Sequence, residues 1–234
     1  MHLKALKAGI LISIVFSGQT SNHVPVVKII LPANNSKYAW NDQLAYSIEV
    51  SDTEDGESKY QEIQSSEVLV KLRYVENSVR AAGYLKQKKF NDTVGVGDML
   101  VSNCFGCHGF KTKLAGPSFQ DISRKYPNTI PNLNQLVKHI QNGSTGIWGK
   151  EVMPTHPELS DSATGKMVKW IFRYANDPGW DYFVGLQGSI PLKKPGVTSS
   201  HGVFILTAFY TDHGSPDFPG KRMTGSGQVL LQMK

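Results

Sequence analysis

The sequence predicts a multidomain chain in which an all-α unit is inserted into an all-β sandwich. Three observations carry this. Apolar residues alternate with a period of two at both ends, in 24–76 and 180–234. Between them, in 84–178, the apolar residues fall at helical spacing instead. Each β-rich end yields three strands, too few to cover its own core, whereas the six together approach a seven-strand sandwich. The economical arrangement is one sandwich interrupted by the helical segment, and able to stand without it.

The elements follow in chain order. Residues 1–18 read as an export signal: Lys4 and Lys7 form a basic start, Ala8–Phe16 an apolar core, and Ser17 and Gly18 are small. That core is too short to span a bilayer, which takes about 20 residues, so no membrane span is expected in the mature chain. Val24–Pro32 alternates and runs into a Pro-Ala-Asn-Asn turn. Leu44–Val50 alternates and ends in the acidic turn Ser51–Gly56, and Val68–Val75 gives a third strand. After Gly95 and Gly97 comes a short helix carrying Met99, Leu100 and Val101. Leu133, Leu136, Val137 and Ile140 share one face of a helix that Asn142-Gly143 ends. Asp161 opens another, with Met167, Val168, Ile171 and Phe172 on one side, ending before Asp177-Pro178. Val184–Leu192, Val203–Thr211 and Gln228–Met233 complete the second β half.

Charge divides along the same lines. Residues 24–83 carry 6 Lys and Arg against 9 Asp and Glu, whereas 84–178 carry 12 against 7. The basic residues are scattered rather than clustered with aromatics on one element, which argues against a nucleic-acid surface. They fit a positive rim for an acidic partner, or plain solubility.

Cys104-Phe105-Gly106-Cys107-His108 holds both cysteines of the chain. Cys-x-x-Cys-His is the attachment signature of a c-type haem: two thiols three residues apart meet two vinyl groups, and the histidine falls under the iron. A zinc site would need a second ligand pair, and a thioredoxin-like motif a preceding strand; neither is present. Downstream, Pro117 fixes the backbone in Leu114–Phe119, so its carbonyl is placed to accept Nδ1–H of His108 and orient the ring. Met153, in the Pro-flanked loop Gly146–Pro154, is the candidate for the second axial position; His156 and His139 compete for it. Met99 and Met167 sit at helical core positions. Trp148 either donates its indole N–H to a haem propionate or simply packs.

Val94–Ala175 resembles a class I bacterial monohaem cytochrome c of the c-551 type. The matching segments are Cys104–His108, Lys113–Phe119, Ile140–Gly149, Met153-Pro154 and Lys169–Ile171. The resemblance implies axial ligation by His108 and Met153, support of the histidine by Pro117, and a propionate contact for Trp148. Thr155-His156-Pro157 and Lys150-Glu151 depart from the family pattern.

The flanks resemble PKD or bacterial Ig-like modules at Val26–Pro32, Tyr46–Asp52 and Phe204–Asp212. Such modules beside a cytochrome c resemble C-terminal regions of bacterial quinoprotein sugar dehydrogenases, although no catalytic propeller is present. Asp52, Glu54, Asp55 and Asp212 are candidates to gather at one end of the sandwich and bind Ca²⁺, or to form turns. The expected function is electron transfer in the periplasm or another exported location, with no catalytic residues of its own. The implied partners are redox proteins such as a quinoprotein dehydrogenase or a terminal oxidase. A peroxidase would need the iron position that Met153 fills. The alternative is a glycan- or protein-binding sandwich with an accessory haem, using Trp180, Tyr182, Phe183 and Tyr210 as a platform.

Overall fold

The computed structural model describes residues 21–86, 93–196, 202–217 and 220–234. The segment read as an export signal lies outside the described residues. The first flank contains β1 (Val26–Leu31), β2 (Ser36–Tyr38), β3 (Gln43–Asp52), β4 (Gly56–Glu57) and β5 (Leu69–Val75). Helices α1 (Ser78–Leu85), α2 (Val96–Val101), α3 (Cys104–Cys107), α4 (Phe119–Lys125), α5 (Ile130–Asn142) and α6 (Asp161–Tyr174) follow. The second flank contains β6 (Trp180–Val184), β7 (Gln187–Pro191), β8 (Val203–Thr211) and β9 (Thr224–Met233).

The strands form two sheets, and both flanks contribute to each. In the first, β3 pairs antiparallel with β1, with the short β4 and with β7 from the far flank. In the second the order is β2-β9-β8-β5-β6, so β5 of the first flank lies between two strands of the second. Strand β3 buries Leu44, Tyr46, Ile48 and Val50 and exposes alternate residues, as one-sided burial requires. Those side chains face Val70, Leu72, Phe204 and Leu206 across the space between the sheets.

The five-stranded sheet is covered on its outer face as well. Leu69, Trp180, Tyr182 and Phe209 point away from the first sheet and join the helical core of Met99, Phe119, Val168 and Trp170. Val75, Val203 and Ile205 pack against Ala81 of α1. Two-sided burial explains why Val203–Tyr210 is buried at every position and apolar at all but Thr207. Chain entry and exit from the helical segment are adjacent, because β5 and β6 pair antiparallel with Arg73 opposite Trp180. The helical unit is therefore an insertion between neighbouring strands.

Two expectations change. Val184–Leu192 is two strands in different sheets, and the chain turns between them at Gly185, whose φ is +140°. There the Gly185 N–H donates to the Val68 carbonyl at 2.9 Å and the Leu186 N–H to Ser65 Oγ at 3.0 Å. Val184 and Leu186, apolar on either side of the glycine, hide this corner in the sequence. The aromatic platform also dissolves: Trp180, Tyr182 and Tyr210 are core residues with relative exposures of 9%, 2% and 1%.

Candidate haem site

The helices form where side chains stop their ends. Ser118 Oγ accepts the Asp121 N–H at the start of α4, Thr129 caps α5, and Ser160 caps α6. Gly143 ends α5 at φ +74°. With α4, α5 and α6 so placed, the apolar faces of Ile122, Leu136, Ile140, Val168 and Ile171 converge on one pocket of about 150 Å³. Cys104, Cys107, His108, Pro117, Trp148 and Met153 line the same pocket.

The two cysteines lie one helical turn apart in α3 as free thiols. Burial pushes the Cys104 thiol up to about 11, so it is held neutral. His108 follows as the residue that ends the helix. Its Nδ1 donates to the Pro117 carbonyl at 2.7 Å, which leaves the Nε2 lone pair available. Burial lowers its pKa, keeping the imidazole in the neutral form that can ligate a metal. Phe119 stacks on the ring with centroids 5.5 Å apart. Gly116 lies so close to the ring that a Cβ there would stand 2.5 Å from His108 Cε1. The Gly-Pro pair thus holds the ring twice, once by the carbonyl and once by the missing side chain.

Met153, another lining residue of the pocket, is fixed through its backbone. It forms an isolated β-bridge with Ser144, its N–H donating to the Ser144 carbonyl at 2.9 Å and its carbonyl accepting at 3.2 Å. Gly143 permits this approach, since a Cβ there would lie 2.7 Å from the Met153 carbonyl oxygen. Met99, Met167 and His139 also line the pocket, whereas His156 does not. Its Nδ1 pairs with Glu158 Oε1 at 3.0 Å. Trp148 carries the Lys125 ammonium 4.4 Å above its ring, and Lys125 also donates to the Ile147 carbonyl at 3.2 Å. The roles of Phe119, Ser144 and Lys125 escape sequence reasoning. Ser144 follows Asn142-Gly143, so a helix-stop signal also marked the start of the bridge.

Residues 96–173 match the family profile described as Cytochrome c. Over 70 residues the chain is 36% identical to cytochrome c-552 of Nitrosomonas europaea, covering 30% of this chain and 68% of that protein. The chain belongs to the cytochrome c family. It is also 34% identical over 76 residues to cytochrome c-551 of Pseudomonas aeruginosa, covering 32% of this chain and 72% of that one. The crystal structure of wild-type Nitrosomonas europaea cytochrome c552 aligns with 33% of this chain and 95% of its own, at 32% identity and TM-score 0.32.

The cytochrome c region is a monohaem electron-carrier domain, and Cys104 and Cys107 assign it one covalent haem c. The residues fit that group: both thiols are free and face one apolar pocket, and the histidine offers one nitrogen while the other is engaged.

The four acids considered for Ca²⁺ serve other ends. Among the described residues, no group of three or more His, Cys, Asp or Glu side chains is placed to hold a metal ion. Asp52 Oδ1 accepts the Glu54 and Asp55 N–H groups at 3.0 and 2.9 Å, an Asx turn. Glu54 Oε1 lies 2.6 Å from His23 Nδ1. Asp55 Oδ2 accepts the Tyr210 hydroxyl at 2.6 Å and the His213 N–H at 3.0 Å, and Asp212 Oδ1 accepts the Gly214 and Met223 N–H groups. Most of their oxygens are taken by turn, strand-end and histidine donors, while Asp52 Oδ2 is buried without a hydrogen-bond partner.

Proposed function

We propose that this protein is an exported c-type cytochrome that carries single electrons through a haem ligated by His108 and Met153. The observation that carries the reading is that two residues fixed by separate contacts line one pocket. His108 is oriented by the Pro117 carbonyl, and Met153 is pinned by the Ser144 bridge. His108 and Met153 would together hold a bound haem iron, which would supply one-electron chemistry and leave no open position for a substrate. Keeping those ligands in place through the electron step is the work of the protein: Phe119 stacks on the imidazole, and Gly116 leaves it no freedom to tilt. Trp148, with Lys125 on its face, would offer a haem propionate an indole N–H and a positive charge.

The functional division we favour is 24–76 and 180–234 as the two halves of a PKD- or Ig-like sandwich, with 84–178 as the cytochrome. A periplasmic location follows from the signal-like residues 1–18 and the covalent haem. No helix among the described residues is long and apolar enough to cross a membrane. A quinoprotein sugar dehydrogenase suits the donor side, given the resemblance of the flanks, and a terminal oxidase the acceptor side. Met153→His tests the ligation. A thioether favours Fe(II) more than imidazole does, so the variant should remain six-coordinate with a lower reduction potential. An unchanged potential would remove Met153 from the iron and turn attention to His139, the histidine that shares the pocket.

A further inference from the structure

Between the cytochrome and the β6–β7 side of the sandwich runs a second groove of about 680 Å³. The cytochrome wall includes Phe105, which stands between the two haem-binding cysteines, and Leu114. Leu114 belongs to the loop whose Gly116 N–H donates to the Cys107 carbonyl at 2.8 Å, so one end of the groove abuts the haem-attachment turn. Cys107 itself lines the haem pocket, on the other side of that turn. The opposite wall comes from the sandwich and includes Phe183, Ser189 and Pro195.

The charges along the groove are one-sided. Its ionisable lining is Lys111 from the cytochrome, Lys193 and Lys194 from the segment after β7, and the single acid Asp181. Asp181 is engaged by Lys111 at 3.5 Å, an ion pair that joins the two parts of the chain. Lys193 and Lys194 are exposed, as is the neighbouring Lys113. After the internal pair is subtracted, the groove presents positive charge and apolar side chains next to the haem edge. That combination suits an acidic protein surface with an apolar contact point, because charge guides encounter and apolar contact holds the docked pair.

We propose that this groove is the docking port for an acidic redox protein, and that the sandwich supplies part of its charge through Lys193 and Lys194. The sandwich is then part of the electron-transfer interface rather than a spacer. This rests on the electron-carrier reading above and adds to it the surface and the partner class. A nucleic acid would be drawn by the same charge, but it would have no use for the junction with the haem-attachment turn.

The test uses the intact, haem-loaded chain and hexacyanoferrate(III), an anionic one-electron acceptor that takes the electron from the reduced haem iron. The variant is Lys193→Glu/Lys194→Glu. The control is Lys28→Glu/Lys37→Glu, the same change in net charge on exposed positions of β1 and β2. Oxidation at low salt should slow about three- to tenfold in the first pair and less than about twofold in the control, as expected when local field governs encounter. With the cationic acceptor tris(phenanthroline)cobalt(III) the first variant should instead speed up. A Glu-rich peptide should shift amide resonances of Lys111–Leu114 and Lys193–Gly196 in the intact protein. Equal rate changes in both variants, no change in either, or tighter binding of an oligothymidylate than of the peptide at this face would overturn the proposal. If the native protein showed no one-electron oxidation at all, the electron-carrier reading would fail instead; normal oxidation that ignores Lys193 and Lys194 would sink only the docking port.

Discussion

Gly116 and His108 set the terms of the site at the scale of single residues. Gly116→Ala drives a methyl into the His108 ring, which is already stacked on Phe119. Its expected cost is about 1–3 kcal/mol of stability, typical of overpacking, together with a perturbed haem absorption spectrum. Gly97→Ala is the contrasting case. Nothing lies within 4 Å of a Cβ there, and the residue is inside α2, so the unfolding free energy from denaturant titration should rise by about 0.5–1 kcal/mol. A second residue-scale expectation concerns pH. His213 is held between Asp55 Oδ1 at 3.2 Å and Glu67 Oε1 at 2.8 Å. Burial works to lower its pKa, but the two carboxylates raise it overall. A raised folded pKa means the clasp stabilises fully below the ordinary value of 6.5 and fades as pH rises through the folded pKa. The Tm gap between native protein and His213→Asn should therefore narrow as pH is raised from about 5.5 to 8.5. The gap should be small throughout, because the side chain is 54% exposed. A gap that widened with pH would contradict the clasp.

Strand β8 shows what an element adds to its residues. Phe209 lies on its outer face, in the core shared with the cytochrome helices, while Tyr210 beside it faces the other sheet. Phe209→Ala should cost about 3–5 kcal/mol, and the loss should appear at the same denaturant concentration in haem absorbance and in far-UV circular dichroism. Two separate transitions would mean that sheet and helices do not share this core. The helices α5 and α6 were legible in the sequence from their apolar stripes and their stops, Asn142-Gly143 for one and Asp177-Pro178 for the other, whereas the caps Thr129 and Ser160 emerged only from the structure. The motif around Cys104 was legible because covalent haem chemistry fixes both spacing and residue type. What escaped were features with weak local signatures. The two-residue β4 and three-residue β2 are too short for alternation to register, and the sheet change at Gly185 is masked by apolar neighbours. The acids at the end of the sandwich misled for a related reason: an Asx turn and a cation loop draw on the same residue types, and only the positions of their donors separate them.

The whole molecule is bound together at the outer face of the five-stranded sheet. A free-standing sandwich was expected from the strand count, but Leu69, Trp180, Tyr182 and Phe209 would be bared by removing 84–178. Joining the flanks across that deletion should give an aggregating product, and light scattering at micromolar concentration would register it. A monomeric, thermally cooperative product would show that the helices are a dispensable cover. Alternation could not reveal this dependence, since a strand buried on both faces reads the same whether a sheet or a helix lies over it. The central claim is that this assembly holds one His/Met-ligated haem for electron transfer. Its most direct test is spectroelectrochemistry of the intact protein, with the haem adduct verified by mass. The expected result is a single one-electron wave, with an Fe–S charge-transfer band in the oxidised form that disappears in Met153→Ala. A native protein without that band, or one whose oxidised iron is five-coordinate, would contradict it.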